Sequence, residues 1–167
     1  MLTVPEASGR ILEHITPLAV ERVTLLDALG RVLAEPIRAP MTLPAWDNSA
    51  MDGYAVRGAD IDAATAESPV QLRVLETVAA GRFATQPVRD GEAIRIMTGA
   101  PLPEGADTVV RVEDTDGGTT RVLVRDARDA RRNIRPRGED FNEGDSLLEP
   151  GAPLGAAQLG ILASIGR

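Results

Sequence analysis

Apolar residues recur at helical spacing only near the two ends of the chain. Between them they alternate with polar residues in short runs separated by Gly, Pro and Asp. Ala7, Ile11, Leu12 and Ile15 follow a helical period, Thr3-Val4-Pro5-Glu6 has capping-box spacing, and Pro5 suits an early helical position. A first helix is predicted to about Thr16, where Pro17 stops it. Val23 and Leu25 alternate as a short strand, 27–30 reads as a brief helical turn, and 156–165 predicts a short helix. Strands are predicted at 54–57, 70–78, 93–97, 108–113, 121–125 and 131–134. Their spacing predicts a β-rich module without alternating βαβ units. The expected fold class is α+β: a discontinuous helical and extended domain, 1–41 with 141–167, carrying an inserted β-rich, barrel-like domain at 42–140.

With 167 residues, 43% of them hydrophobic, the chain can bury one core or two small ones. Only Trp46, Tyr54, Phe83 and Phe141 are aromatic, so Val, Leu, Ile and Ala must build that core. All eighteen basic residues are Arg, and Cys is absent. Schiff-base lysine, thiolate and disulfide chemistry are therefore excluded, and the lone His14 sits in the predicted helix with no serine nucleophile placed beside it. Carboxylate, guanidinium, hydroxyl and backbone groups remain, the set that holds hard cations and anionic substrates. A net charge of −7 disfavours nucleic acid and acidic membranes, and no run is long enough to span a bilayer, so a cytoplasmic location is expected. Seven Arg between 121 and 137 oppose that average, either as a solvated strand edge or as a local anion site.

Three loops concentrate the polar chemistry. Loop A, 47–54, reads Asp47-Asn48-Ser49-Ala50-Met51-Asp52-Gly53-Tyr54; it places Met51 at a calcium-ligand position and lacks the closing Glu, which excludes an EF-hand. Asp52 could still serve Mg²⁺, which needs only one or two protein carboxylates. Loop B, 98–105, offers the Thr98 hydroxyl among small residues and lacks the Lys of a phosphate-binding Walker loop. Loop C, 133–140, combines Arg135 and Arg137 with Glu139 and Asp140: guanidinium forks for an oxyanion, or an internal ion network that needs no ligand. For loops A and B the competing explanation is a capped or Pro-fixed turn.

DNSAMDGYAVR at 47–57, IRIMTGAPLPEGAD at 94–107 and RGED at 137–140 together resemble, in residues, order and spacing, the N-terminal region of the molybdopterin molybdenumtransferases, the MoeA and gephyrin E-domain family. One departure is Pro136, where relatives often carry another basic residue. The resemblance covers essentially the whole chain and implies that the family's downstream pterin-binding and C-terminal domains are absent from it. It also implies a role in molybdenum cofactor biosynthesis: insertion of molybdate into adenylylated molybdopterin with Mg²⁺ and release of AMP, in a site shared between protomers of a homodimer. On that basis Asp52 and Asp140 are the expected catalytic and tentative Mg²⁺-binding residues, with Ser49, Thr98, Arg135 and Arg137 binding substrate or oxyanion. The alternative is a non-catalytic dimerisation and scaffold module of a gephyrin-like protein.

Overall fold

The computed structural model describes residues 2–16 and 18–167. Its elements begin with α1 (Val4–Leu12), β1 (Ile37–Arg38), β2 (Asn48–Ser49), β3 (Gly53–Val56), α2 (Gly58–Ile61), β4 (Val70–Val78) and β5 (Glu92–Ile96). They continue through β6 (Thr108–Arg111), β7 (Arg121–Val124), β8 (Ile134–Arg135), β9 (Ser146–Leu148) and α3 (Ala156–Ser164). The chain divides into two compact units, one of 1–38 with 146–167 and one of 39–145.

In the first unit, β1 pairs antiparallel with β9, and backbone bonds between 30–33 and 151–154 extend that contact. Helix α1 starts as its capping signal predicts: the Glu6 carboxylate accepts from the Thr3 backbone N–H at 2.7 Å and from its hydroxyl at 2.9 Å. Helix α1 ends at Leu12 rather than near Thr16, with only three-residue turn bonds from His14 to Ile11 and from Ile15 to Leu12 beyond its cap, and the expected stop at Pro17 lies outside the described residues. The expected strand at Val23 and Leu25 is instead a 3₁₀ turn over Leu25–Asp27, because the Thr24 hydroxyl donates to the Asp27 carboxylate at 2.6 Å and closes the chain locally. Ile11 and Leu12 of α1 and Ile15 beyond its end remain exposed, so this apolar stripe is uncovered in this chain.

The second unit is built on a five-stranded sheet in the order β6-β3-β5-β4-β7. Neighbours are antiparallel except β4 and β5, a parallel pair that the strand spacing did not reveal. Beyond β6 a 3₁₀ turn carries Thr115 into a bridge with Val124 of β7, so the segment leaving one edge strand curls against the other. Apolar side chains cover both faces. Tyr54, Val56, Leu72, Val74, Val110, Val122 and Val124 form one cluster, while Ala55, Val78, Ile94, Ile96 and Val109 form the other. Leu72, Val74 and Val78 are all even positions of one strand yet serve opposite faces. The register shift between Val74 and Thr77 explains this, since one extra residue in β4 reverses which side chains point inward.

Most predicted strands lie within a residue of their expected bounds, and β4 coincides with them. The expected strand at 131–134 does not form: Arg131 and Asn133 adopt positive φ of 60° and 62°, and only Ile134–Arg135 pair as β8. Contacts to β6 impose that shape, because the Thr108 hydroxyl accepts the Arg131 N–H at 2.8 Å and the Asn133 amide donates to the Val109 carbonyl at 2.9 Å. No helix among the described residues is long and apolar enough to cross a membrane.

Candidate functional site

Loop A lies between the other two loops. On one side the Ser49 N–H donates to the Ala100 carbonyl at 3.0 Å and the Gly99 N–H returns to the Ser49 carbonyl at 2.8 Å. On the other, β2 pairs with β8 through Asn48 opposite Arg135 and Ser49 opposite Ile134, and the Ala50 N–H reaches the Asn133 carbonyl at 2.9 Å. Segments some fifty and ninety positions downstream in sequence are thus stitched to loop A by backbone hydrogen bonds. A backbone so paired is held without dependence on side-chain identity.

Ser49 is fully buried, and its hydroxyl donates to the Met51 carbonyl at 2.5 Å while accepting the Met51 N–H at 3.2 Å. It sets the turn that leads into Asp52 and does not line the recess where Asp52 sits. At Gly53 a Cβ would lie 1.9 Å from the Val110 carbonyl oxygen, so a hydrogen is the only side chain the β3–β6 spacing admits. Asp52 is therefore fixed from behind, and its own carbonyl accepts the Val112 N–H at 3.0 Å.

The Asp52 side chain meets loop B. Its Oδ1 accepts the Thr98 backbone N–H at 2.7 Å and the Thr98 hydroxyl at 2.8 Å. The sheet register makes this meeting possible, because Gly53 pairs with Ile96 and Thr98 follows two residues later. The Thr98 backbone bond first, then its hydroxyl, and more weakly the positive charge of Arg95, hold the Asp52 carboxyl below its ordinary range against a small opposing effect of desolvation. Asp52 is thus an anion at neutral pH, with Oδ2 left for a ligand.

Asp52 and Thr98 line an open recess of about 430 Å³ together with Met51, Arg111 and Glu113. Sequence reasoning did not single out Arg111 or Glu113; the only signal was their place at the end of a predicted strand. Arg111 is held by carboxylates: its Nε and backbone N–H donate to buried Asp129 at 3.0 and 3.1 Å, and its Nη2 to Asp114 at 2.7 Å. Burial raises the Asp129 pKa, but the Arg111 bonds and charge, with the Asn133 amide, outweigh it and leave Asp129 below the usual carboxylate range. With the charge of Arg111 offset in this way, Asp52 and Glu113 set an acidic character for the recess.

Loop C stands apart from that recess. Arg135 donates to Glu139 at 3.2 Å and lies 3.8 Å from Asp140, the internal ion network that the sequence left open as an alternative. Arg137 donates its backbone N–H to Asp47 Oδ1 at 2.7 Å and its Nε to the Ala45 carbonyl at 3.1 Å. Elsewhere in the basic run, Arg128 pairs with Asp126 and Asp114, and Arg131 with Asp62, so much of its charge is neutralised locally. Among the described residues no three acidic or histidine groups cluster as a ready metal cage. The donor set of the recess is nevertheless all hard oxygen, which suits an ion that keeps several waters and takes one or two carboxylates from protein.

The model of the MoeA N-terminal region, domains I and II, matches residues 2–166. The chain is 42% identical over 166 residues to molybdopterin molybdenumtransferase 2 of Mycobacterium tuberculosis, covering 99% of this chain and 41% of that protein. It is 42% identical over 153 residues to the molybdopterin molybdenumtransferase of Synechococcus elongatus, covering 90% and 38%. The crystal structure of a molybdopterin biosynthesis MoeA protein from Pyrococcus horikoshii superimposes with a TM-score of 0.80 at 36% identity, over 87% of this chain and 38% of that one. The chain therefore spans about two fifths of the length of these relatives.

Proposed function

The chain belongs to the MoeA N-terminal region family, and on that premise we propose that it supplies the N-terminal part of a molybdopterin molybdenumtransferase. The reaction is insertion of molybdate into adenylylated molybdopterin with release of AMP, in molybdenum cofactor biosynthesis. The observation that carries this reading is the fixed, ionised Asp52 carboxylate, held by Thr98 at the edge of an open, oxygen-lined recess. Acid and hydroxyl groups are the chemistry such a reaction asks of its protein, because the pterin dithiolate brings its own sulfur ligands for the metal.

In this reading Asp52 orients water or substrate oxygen at the phosphoanhydride. Thr98 keeps that carboxylate from rotating and keeps it charged. Asp140 is the second acidic group and Arg135 its neighbour for oxyanion placement, while Arg137 offers a further guanidinium in loop C. Mg²⁺ would be held through Asp52 with substrate phosphate and water and would neutralise charge on the anhydride, while Asp140, in loop C apart from that recess, would act from the substrate's other side. Ser49 acts through the turn that presents Asp52. A homodimer is proposed with this activity, and the uncovered Ile11 and Leu12 of α1, with Ile15 just beyond it, support a further protein surface against the first unit.

The test replaces the N-terminal region of a full-length relative with this chain and measures cofactor formation from adenylylated molybdopterin, molybdate and Mg²⁺. Asp52→Asn keeps an acceptor for both Thr98 bonds but removes the charge, so folding should survive. Turnover should fall by about a hundredfold or more. Turnover within threefold of the parent chimera would rule Asp52 out as a catalytic group.

A further inference from the structure

Arg111 joins the wall of the Asp52 recess from the end of β6, where the 3₁₀ turn over Val112–Asp114 brings Asp114 back beside it. Asp129 Oδ2 accepts both the Arg111 backbone N–H at 3.1 Å and its Nε at 3.0 Å, so one carboxylate grips the residue at its backbone and at its head group. Asp114 Oδ2 takes Nη2 at 2.7 Å, and the other Asp114 oxygen lies 3.2 Å from Arg128. The side chains of Asp129 and Asp114 are 7% and 12% exposed, against 31% for Arg111. Both clamping bonds therefore lie on the inner edge of the guanidinium.

A guanidinium carries five N–H donors in one rigid plane. The clamp uses Nε and one hydrogen of Nη2, and no described group accepts a hydrogen bond from Nη1. The outer edge, formed by Nη1 and the second Nη2 hydrogen, is the fork that meets two oxygens of a phosphate end-on. An arginine already fixed at backbone and head group loses little side-chain freedom on binding, and its donors need no reorganisation when charge develops on a bound oxygen. The neighbours select what enters. Arg111 and Arg128 offset Asp114 and Asp129, so the exposed carboxylates Asp52 and Glu113 repel a bare anion and admit one already paired with a divalent cation.

We propose that Arg111 is an oxyanion-binding residue of this recess, its outer edge taking phosphate oxygens of a phosphoanhydride whose paired divalent cation is held by Asp52. This deepens the proposed function and rests on it for the anhydride. Arg111 lies outside loops A, B and C, and nothing in its local sequence marks it for this role.

The probe is methylenediphosphonate, a phosphoanhydride mimic without nucleoside or pterin, titrated calorimetrically into the chain with Mg²⁺ and again with EDTA in its place. Saturable binding at millimolar concentration is expected with Mg²⁺, and binding about tenfold weaker or worse without it. Arg111→Lys keeps a cation for Asp129 and Asp114 but has no fork, and should weaken the Mg²⁺ complex about tenfold. Circular dichroism and urea unfolding check that the variant is folded. A second measurement needs no variant fold: the guanidinium nitrogen resonances of Arg111 in the wild-type chain should shift with ligand while those of Arg128 stay in place. No saturable binding with Mg²⁺, equal affinity in EDTA, a folded Arg111→Lys within about twofold of wild type, or unmoved Arg111 resonances would each overturn the proposal. An inactive Asp52→Asn chimera with unmoved Arg111 resonances would overturn the Arg111 assignment alone. Shifted Arg111 resonances alongside a fully active Asp52→Asn chimera would overturn the catalytic reading of Asp52 and leave Arg111 as an oxyanion contact.

Discussion

Gly53→Ala is a sharp test of how the Asp52 loop is held. The added Cβ would sit 1.9 Å from the Val110 carbonyl oxygen and 2.9 Å from its carbon, where ordinary contact begins near 3.4 Å. Backbone, which cannot rotate aside, supplies both obstacles, so β3 and β6 must part by roughly 1.5 Å. That displacement carries the neighbouring ladder bonds beyond hydrogen-bond range. Two lost bonds at about 1 kcal/mol each and overpacking of about 1–3 kcal/mol give a destabilisation of roughly 3–5 kcal/mol. A domain holds only about 5–15 kcal/mol, so the thermal midpoint should drop by roughly 10 °C or more. The assay is thermal and urea unfolding followed by circular dichroism and Trp46 fluorescence. Gly160→Ala serves as the control, since beyond the backbone of its own helix no other group lies within 4 Å of its added Cβ in α3 and the change should stabilise by about 0.5–1 kcal/mol. A Gly53→Ala midpoint within two degrees of wild type would refute the claim that strand spacing dictates this glycine.

Other outcomes follow from the same geometry. Thr98→Val removes one of the two bonds to Asp52 Oδ1, so the Asp52 carboxyl should titrate closer to its ordinary value, read from its side-chain carbon resonance; an unchanged titration would show that the hydroxyl does not hold the charge. Because the folded pKa of Asp52 is lowered, its contribution to stability is present above the ordinary carboxylate value and lost as pH falls through the folded one; Thr98→Val should narrow that window. Asp129→Asn keeps the shape but removes the charge that holds Arg111, and with Arg111 partly open to solvent the cost should be about 1–3 kcal/mol by urea unfolding at pH 7. The Asp129 pKa is likewise lowered, so the difference between variant and wild type should shrink below about pH 4; a constant difference across that range would argue against charge as the cause.

The strands were legible because alternation of buried and exposed side chains is a local property, and Val70–Val78 was found to the residue. The three loops were legible for a similar reason: Asp, Asn, Ser, Gly and Pro declare turns, and their combined strings declare the family. The strand expected at 131–134 failed, because Arg131 and Asn133 bond to β6 in a left-handed conformation that no local preference for arginine foretells. At Val23 and Leu25 a Thr–Asp hydrogen bond over three residues won against alternation.

By itself the sequence determined which chemistry is on hand, namely oxygen and guanidinium groups with neither thiol nor amine, and which segments carry it. Tertiary structure alone decided that loop A lies between loops B and C, that Thr98 and not Asp140 holds Asp52, and that Arg111 and Glu113 share its recess. It also turned Ser49 inward and left Trp46 against Phe83 at the surface. The physical reason is range. Turn chemistry and strand period act over a few residues, whereas these meetings depend on backbone pairings between segments tens of residues apart, whose register is fixed only when the apolar faces of the sheet are buried together.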